Sequence, residues 1–111
     1  MILLNRSTFP TAVEQPEAGR KLSLAVAANP ARGSANVECS IPLAGRVRVE
    51  VFDAAGQRIR VLHEAQATAG ILRLAWDGRT AAGSSVGPGL YWVRASIGER
   101  NAQRKLVWLG P

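Results

Sequence analysis

The sequence has few of the side chains that most often carry chemistry. Its 111 residues include one cysteine, Cys39, and one histidine, His63. A single cysteine excludes an intrachain disulfide, and a structural zinc site needs a cluster of Cys and His residues that the sequence does not contain. We therefore expect neither a metal ion nor a cofactor.

Catalytic motifs are lacking as well. No nucleophile elbow, P-loop, HExxH or calcium-loop pattern occurs in the sequence. His63 ends a predicted strand without an evident carboxylate partner, and Asp53 and Asp77 occupy turns, where a short carboxylate accepts backbone hydrogen bonds. Cys39 alternates in phase with apolar residues, which predicts a small core side chain rather than a reactive thiolate. The sequence therefore predicts no enzymatic activity and no small-molecule substrate.

Long hydrophobic runs are also missing. The N-terminal apolar run consists of residues 2–4, which is too short for the core of a signal peptide or for a membrane span. Three alternatives stay open: export without a cleavable signal, a piece of a longer protein, or a cytoplasmic protein.

Acidic residues are outnumbered. Lys and Arg total 14 against 8 Asp and Glu, which gives a net charge of +6. Such a surplus suits nucleic acid, anionic lipid or an acidic glycan. A candidate basic face lies on the polar side of one predicted hairpin and consists of Arg46, Arg48, Arg58 and Arg60. We expect no aromatic residue to interleave with these arginines as a stacking platform for single strands requires, which favours a solvated sheet face and disfavours nucleic acid as a partner.

What the sequence does contain is alternation of apolar and polar residues with a period of two, the pattern of half-buried strands. In 46–53, for example, three valines alternate with charged residues, and in 57–63 we expect Ile59 and Val61 to face inward. The pattern predicts a two-sheet antiparallel sandwich over 21–111, because each strand has one apolar face to bury. The predicted strands are 21–27, 34–41, 46–53, 57–63, 70–76, 89–97 and 102–109. In the last strand, the register remains open between Leu106/Trp108 and Val107/Leu109.

Residues 1–20 do not alternate and contain two prolines, so we expect an extended N-terminal arm or linker. Its apolar part is a candidate for strand exchange with a neighbouring copy, since sheet edges present unpaired backbone groups. This candidate segment is Thr8, Phe9, Pro10, Thr11, Ala12 and Val13.

The stretch WDGRTAAGSSVGPGLYWVRA, residues 76–95, joins two predicted strands through a series of tight turns. We predict that this loop is a corner between the two sheets, with Trp76 and Tyr91 capping the sandwich end.

A set of motifs in this order carries a family resemblance. They are Asn29-Pro30 after the first strand, Val51-Phe52-Asp53 followed by Gly56, Trp76-Asp77-Gly78, Gly89-x-Tyr91-x-Val93-Arg94 and the final Lys105-Leu106-Val107. Over residues 21–109 the chain resembles the Ig-like domain of flagellar hook-capping proteins and the C-terminal sorting domain of type IX secretion cargo.

The resemblance implies an all-β, seven-stranded antiparallel Ig-like β-sandwich without catalytic activity. In sorting domains the recurring elements are recognised during outer-membrane export, and they correspond here to Asn29-Pro30, to Gly89 with Tyr91, and to 105–107. The resemblance therefore implies a secreted or cell-surface protein of a Gram-negative-type bacterium, with the export machinery or a larger passenger protein as partner. A structural subunit of a surface assembly, a self-assembling filament or oligomer subunit, and a glycan- or nucleic-acid-binding module are the alternatives.

Overall fold

The computed structural model describes residues 21–111 of the chain, and the N-terminal segment with the strand-exchange candidate 8–13 lies outside the described residues. The described part confirms the prediction of an all-β, Ig-like sandwich of seven strands. The strands are β1 (Ser23–Arg32), β2 (Ser34–Ile41), β3 (Gly45–Asp53), β4 (Arg58–Ala67), β5 (Gly70–Trp76), β6 (Gly89–Ile97) and β7 (Arg100–Trp108).

The strands form two layers that share β1. One layer, sheet A, has the order β1-β2-β5, and the other, sheet B, has the order β4-β3-β6-β7. The first part of β1 pairs antiparallel with β2, whereas Ala31 near its end pairs parallel with Trp108 of β7. The predicted end of the first strand at residue 27 is therefore wrong, because β1 continues to Arg32 through a register shift and a cis Asn29-Pro30 bond into the second sheet.

The core lies between the layers and follows the predicted alternation. Val47, Val49 and Val51 of β3 are 0% exposed and belong to this core. The open register of the last strand is resolved in favour of Leu106 and Trp108, both of which are buried. The remaining buried apolar residues are Leu22, Leu24, Ala31, Ala35, Val37, Cys39, Ile41, Trp76, Tyr91, Val93, Ala95 and Ile97.

Strand β4 departs from simple alternation. Its pairing with β3 shifts register twice, so that β4 has extra residues relative to its partner. Each such bulge moves the following side chains to the other face of the strand. As a result Ile59 and Leu62 pack against the core, whereas Val61 lies opposite Glu50. The prediction that Ile59 and Val61 both face inward was therefore wrong for Val61.

Candidate functional site

The side chain of Asn29 joins β1 to β7. Its Nδ2 donates to the carbonyl oxygen of Lys105 at 2.9 Å, and its Oδ1 accepts from the backbone N–H of Val107 at 2.9 Å. The amide thus presents a donor and an acceptor to an extended strand, as a paired residue of a neighbouring strand does. Two segments that are 76 residues apart in the chain, Asn29-Pro30 and 105–107, are therefore in direct contact.

Backbone hydrogen bonds extend this contact beyond Asn29. The N–H of Leu109 donates to the carbonyl of Ala31 at 2.8 Å, and the N–H of Gly33 donates to the carbonyl of Gly110 at 2.9 Å. The segment from Asn29 to Gly33 consequently holds the chain from the middle of β7 to Gly110. We call this contact the β1–β7 clasp.

An aromatic cluster packs beneath the clasp. The rings of Trp76 and Tyr91 meet edge to face with centroids 5.5 Å apart, and the rings of Trp76 and Trp108 are tilted with centroids 5.2 Å apart. The hydroxyl of Tyr91 donates to the carbonyl of Gly87 at 2.6 Å, and burial is the main cause that raises the pKa of this phenol. The sequence indicated the pair Trp76 and Tyr91, but the part played by Trp108 depended on a register that alternation left open.

Gly78 allows the cluster to close. Its φ is +75°, a left-handed conformation that side chains other than glycine adopt at a cost. A Cβ built on Gly78 would overlap the indole ring of Trp108. Gly89, another predicted motif residue, opens β6 and pairs with Trp108. Three of the predicted motif residues of this stretch, Trp76, Gly78 and Gly89, are thus next to Trp108 of β7.

The first part of the loop 77–88 is bound to the edge strand β4. The Oδ1 of Asp77 accepts from the N–H of Arg79 at 3.1 Å and from Arg60 Nη1 at 3.0 Å, and the N–H of Ala81 donates to the carbonyl of Ile59 at 3.0 Å. Partial desolvation raises the pKa of Asp77, but these hydrogen bonds from Arg60 and Arg79 outweigh it and hold the pKa below its ordinary value. The loop is therefore a fixed corner that ties β5 to the edge strand β4.

The four arginines of the predicted basic face do not form one row. Arg46 and Arg48 share Glu64 at 3.8 Å and 2.7 Å, and Arg58 pairs with Glu50 at 3.0 Å. The hydrogen bond and charge of Arg48 lower the pKa of Glu64. The same hydrogen bond and the charge of Glu64 raise the pKa of Arg48.

Arg60 does not belong to that face. The register shifts of β4 place Arg60 opposite the buried Val51, so its side chain leaves the strand on the inner side of the sheet and reaches Asp77. The prediction that Arg60 belongs to the basic face was therefore wrong, because the bulges of β4 turn its side chain to the inner side of the sheet.

Among the described residues, the concavity beside His63 has a volume of about 350 Å³ and no carboxylate among its lining residues. The pKa of the Cys39 thiol is raised, and burial is the only cause.

Within residues 21–111, no group of three or more His, Cys, Asp or Glu side chains is placed to hold a metal ion. In the same part of the chain, no helix has the length and apolar character that crossing a membrane requires.

Solved structures share this fold. Dimeric latent PorU from Porphyromonas gingivalis matches with a TM-score of 0.68 and 19% identity, over 79% of this chain but 9% of PorU. PorZ, an essential bacterial surface component of the type IX secretion system of the same organism, matches with a TM-score of 0.52 and 20% identity, over 78% of this chain and 11% of PorZ. The chain thus spans about a tenth of either protein.

FlgD from Xanthomonas campestris, a protein of hook capping in flagellar assembly, matches with a TM-score of 0.55 and 29% identity, over 87% of this chain and 74% of that protein. No curated protein matches the chain significantly. A family model, the FlgD Ig-like domain, matches residues 19–100 and ends where β7 begins. The family match, together with the seven-stranded sandwich, shows that the chain belongs to the FlgD Ig-like domain family.

Proposed function

We propose that this chain is a non-catalytic Ig-like module of an exported bacterial protein, and that it acts as a type IX sorting or cell-surface attachment domain. The observation that carries the proposal is the β1–β7 clasp, in which the Asn29 amide binds the backbone at Lys105 and Val107. The clasp joins the first and last of the motif elements that the resemblance to sorting domains singles out. The fold likeness to PorU and PorZ supports this reading.

In this proposal, the segments that resemble sorting elements lie on three adjacent strands, β6, β7 and β1. Gly89 and Tyr91 of β6 pair with Trp108 and Leu106 of β7, while Asn29 contacts the same strand from the side of β1. A receptor that reads these elements therefore meets three adjacent strands in a fixed register. Recognition of this kind requires a folded domain, because the elements are far apart in the unfolded chain.

A reporter fusion tests the proposal. Residues 21–111 are placed behind a fluorescent reporter with a cleavable signal peptide, in a bacterium with a working type IX system, and surface and periplasmic fractions are compared. We expect the reporter at the surface with the native domain. Asn29→Ala should reduce the surface fraction several-fold, whereas Asn36→Ala, an exposed asparagine of β2, should not. A reporter that stays in the periplasm with the native domain would contradict the proposal.

The same module also suits a structural subunit that assembles by strand addition, and the edge of β5 favours this second candidate. Strand β5 pairs with β2 without a register shift and ends the strand order, and its Ile71 is 52% exposed. A straight, regular edge is the kind that accepts an added strand. The proposed donor is segment 8–13 of a second copy.

Light scattering tests this assembly. Deleting residues 1–18 should convert any oligomer to monomer, and replacing 8–13 by glycine and serine of equal length should do the same. Ala12→Pro removes one backbone donor and should weaken association, whereas Ala18→Pro, outside the donor segment, should not. A deletion variant that still assembles would exclude the arm.

A further inference from the structure

The outer face of sheet B carries a row of four side chains that alternation along the chain does not reveal. Phe52 of β3 lies opposite Trp92 of β6, Arg58 of β4 pairs with Phe52, and Lys105 of β7 pairs with Trp92. The row therefore runs cation, aromatic, aromatic, cation across four strands. With strands about 4.8 Å apart it is about 14 Å long. We call it the aromatic row.

The row is accessible and has unpaired charge beside it. Phe52 and Trp92 are half-buried, and together with Arg94, Gln103 and Gly56 they line an open groove of about 250 Å³. Among residues 21–111, no carboxylate pairs with Arg94 or with Lys105. The two carboxylates of this face are already engaged, Glu50 by Arg58 and Glu64 by Arg46 and Arg48.

This arrangement corrects the expectation that no aromatic residue interleaves with the basic face. In the chain, Trp92 is 40 positions from Phe52, so neither the spacing of the arginines nor the pattern of either strand shows that they face each other. The pairing of β3 with β6 places the two side chains in one groove, next to cations from three strands.

We propose that the aromatic row binds an acidic polysaccharide. A half-buried aromatic surface presents a flat apolar area on which the C–H face of a sugar ring packs by dispersion. Guanidinium and ammonium groups at its border pair with carboxylate, sulfate or phosphate groups carried by the sugars. This inference goes beyond the proposed function and depends neither on export nor on sorting.

The size and charge of the site favour a polymer over other ligands. The groove is smaller than the about 300–1,000 Å³ of a pocket that encloses a small molecule, so it suits one unit of a chain lying across the sheet. The excess of cations disfavours a second copy of the same face, because two such surfaces repel. Single-stranded nucleic acid stacks its bases on aromatic rings within a basic groove that follows the backbone, whereas these two rings lie half-buried side by side.

Tryptophan fluorescence of the full chain detects the binding. Trp76 and Trp108 are 0% and 2% exposed, so a ligand on the outer face changes the emission of Trp92. Titration at low salt uses polygalacturonate as the probe, neutral dextran as the uncharged control, and a thymidine oligonucleotide as the competing class. We expect saturable binding of polygalacturonate that weakens with salt, and no response to dextran.

Two variants assign the site. Arg94→Gln should weaken binding about tenfold, whereas Arg73→Gln, which removes the same charge from an exposed pair on the outer face of sheet A, should change it less than about twofold. Trp92→Ala, followed by calorimetry because the signal is lost, should abolish binding while far-UV circular dichroism stays native. The proposal is overturned if polygalacturonate does not bind, if dextran binds equally, if the oligonucleotide binds more tightly, or if Arg94→Gln and Arg73→Gln behave alike.

Discussion

The contact between Gly78 and Trp108 permits a sharp test of the packing beneath the β1–β7 clasp. Gly78→Ala imposes two costs, a left-handed alanine at φ +75° and a methyl group within the indole of Trp108. The first amounts to about 1–2 kcal/mol, and forced overpacking adds about 1–3 kcal/mol. We therefore expect the free energy of unfolding to fall by about 2–5 kcal/mol.

Gly33→Ala is the matched control. Gly33 has nearly the same φ, +79°, but a Cβ there meets no atom within 4 Å. Urea denaturation followed by tryptophan fluorescence should show a loss of about 1–2 kcal/mol for this variant, which is the backbone cost alone. In a Trp108→Leu background, Gly78→Ala should cost no more than the control. If the two glycine variants differ by less than about 0.5 kcal/mol in the native background, the assigned contact with the indole is wrong.

Three further expectations concern single sites. Asn29→Ala removes two hydrogen bonds of the clasp and should lower the free energy of unfolding by about 1–3 kcal/mol in the same denaturation assay, whereas Asn36→Ala should change it by less than about 0.5 kcal/mol. Cys39 is 0% exposed, and burial raises the pKa of its thiol. A thiol reagent at pH 8 should therefore label Cys39 only as fast as the domain unfolds. Rapid labelling without denaturant would contradict the place of Cys39 in the core. The bond from Arg48 lowers the pKa of Glu64 from 4.5, so the stability that this bond contributes is present above that pH and is lost as the pH falls through the lower folded-state pKa. Glu64→Gln should therefore flatten the acid side of a plot of melting temperature against pH. An unchanged acid side would count against the ion pair.

Alternation along single strands was sufficient to predict the seven strands and most of the core. The valines of β3 show why, because every second residue of a strand that covers a core must be apolar. The same rule failed in β4, where two bulges move Arg60 and Leu62 to the inner side. Nothing in the local composition of 57–63 marks these extra residues, since they are fixed by pairing with β3.

The contacts that define the candidate sites depend on long-range register. Asn29 looks like a turn residue beside a proline, and its two bonds to β7 exist only because β1 crosses from one sheet to the other. The aromatic row likewise exists only in the pairing of β3 with β6. Family resemblance named the motif segments, but it indicated neither that Asn29 contacts 105–107 nor that Trp92 is a surface feature.

The place of β7 in the strand order has a consequence for biosynthesis. This final strand lies between β6 and β1, so the junction of the two layers forms only after it is available. A ribosome delivers the chain from the N-terminus, and the nascent domain therefore remains open until residues 100–108 have left the exit tunnel. During that interval the apolar faces of the earlier strands are accessible to chaperones.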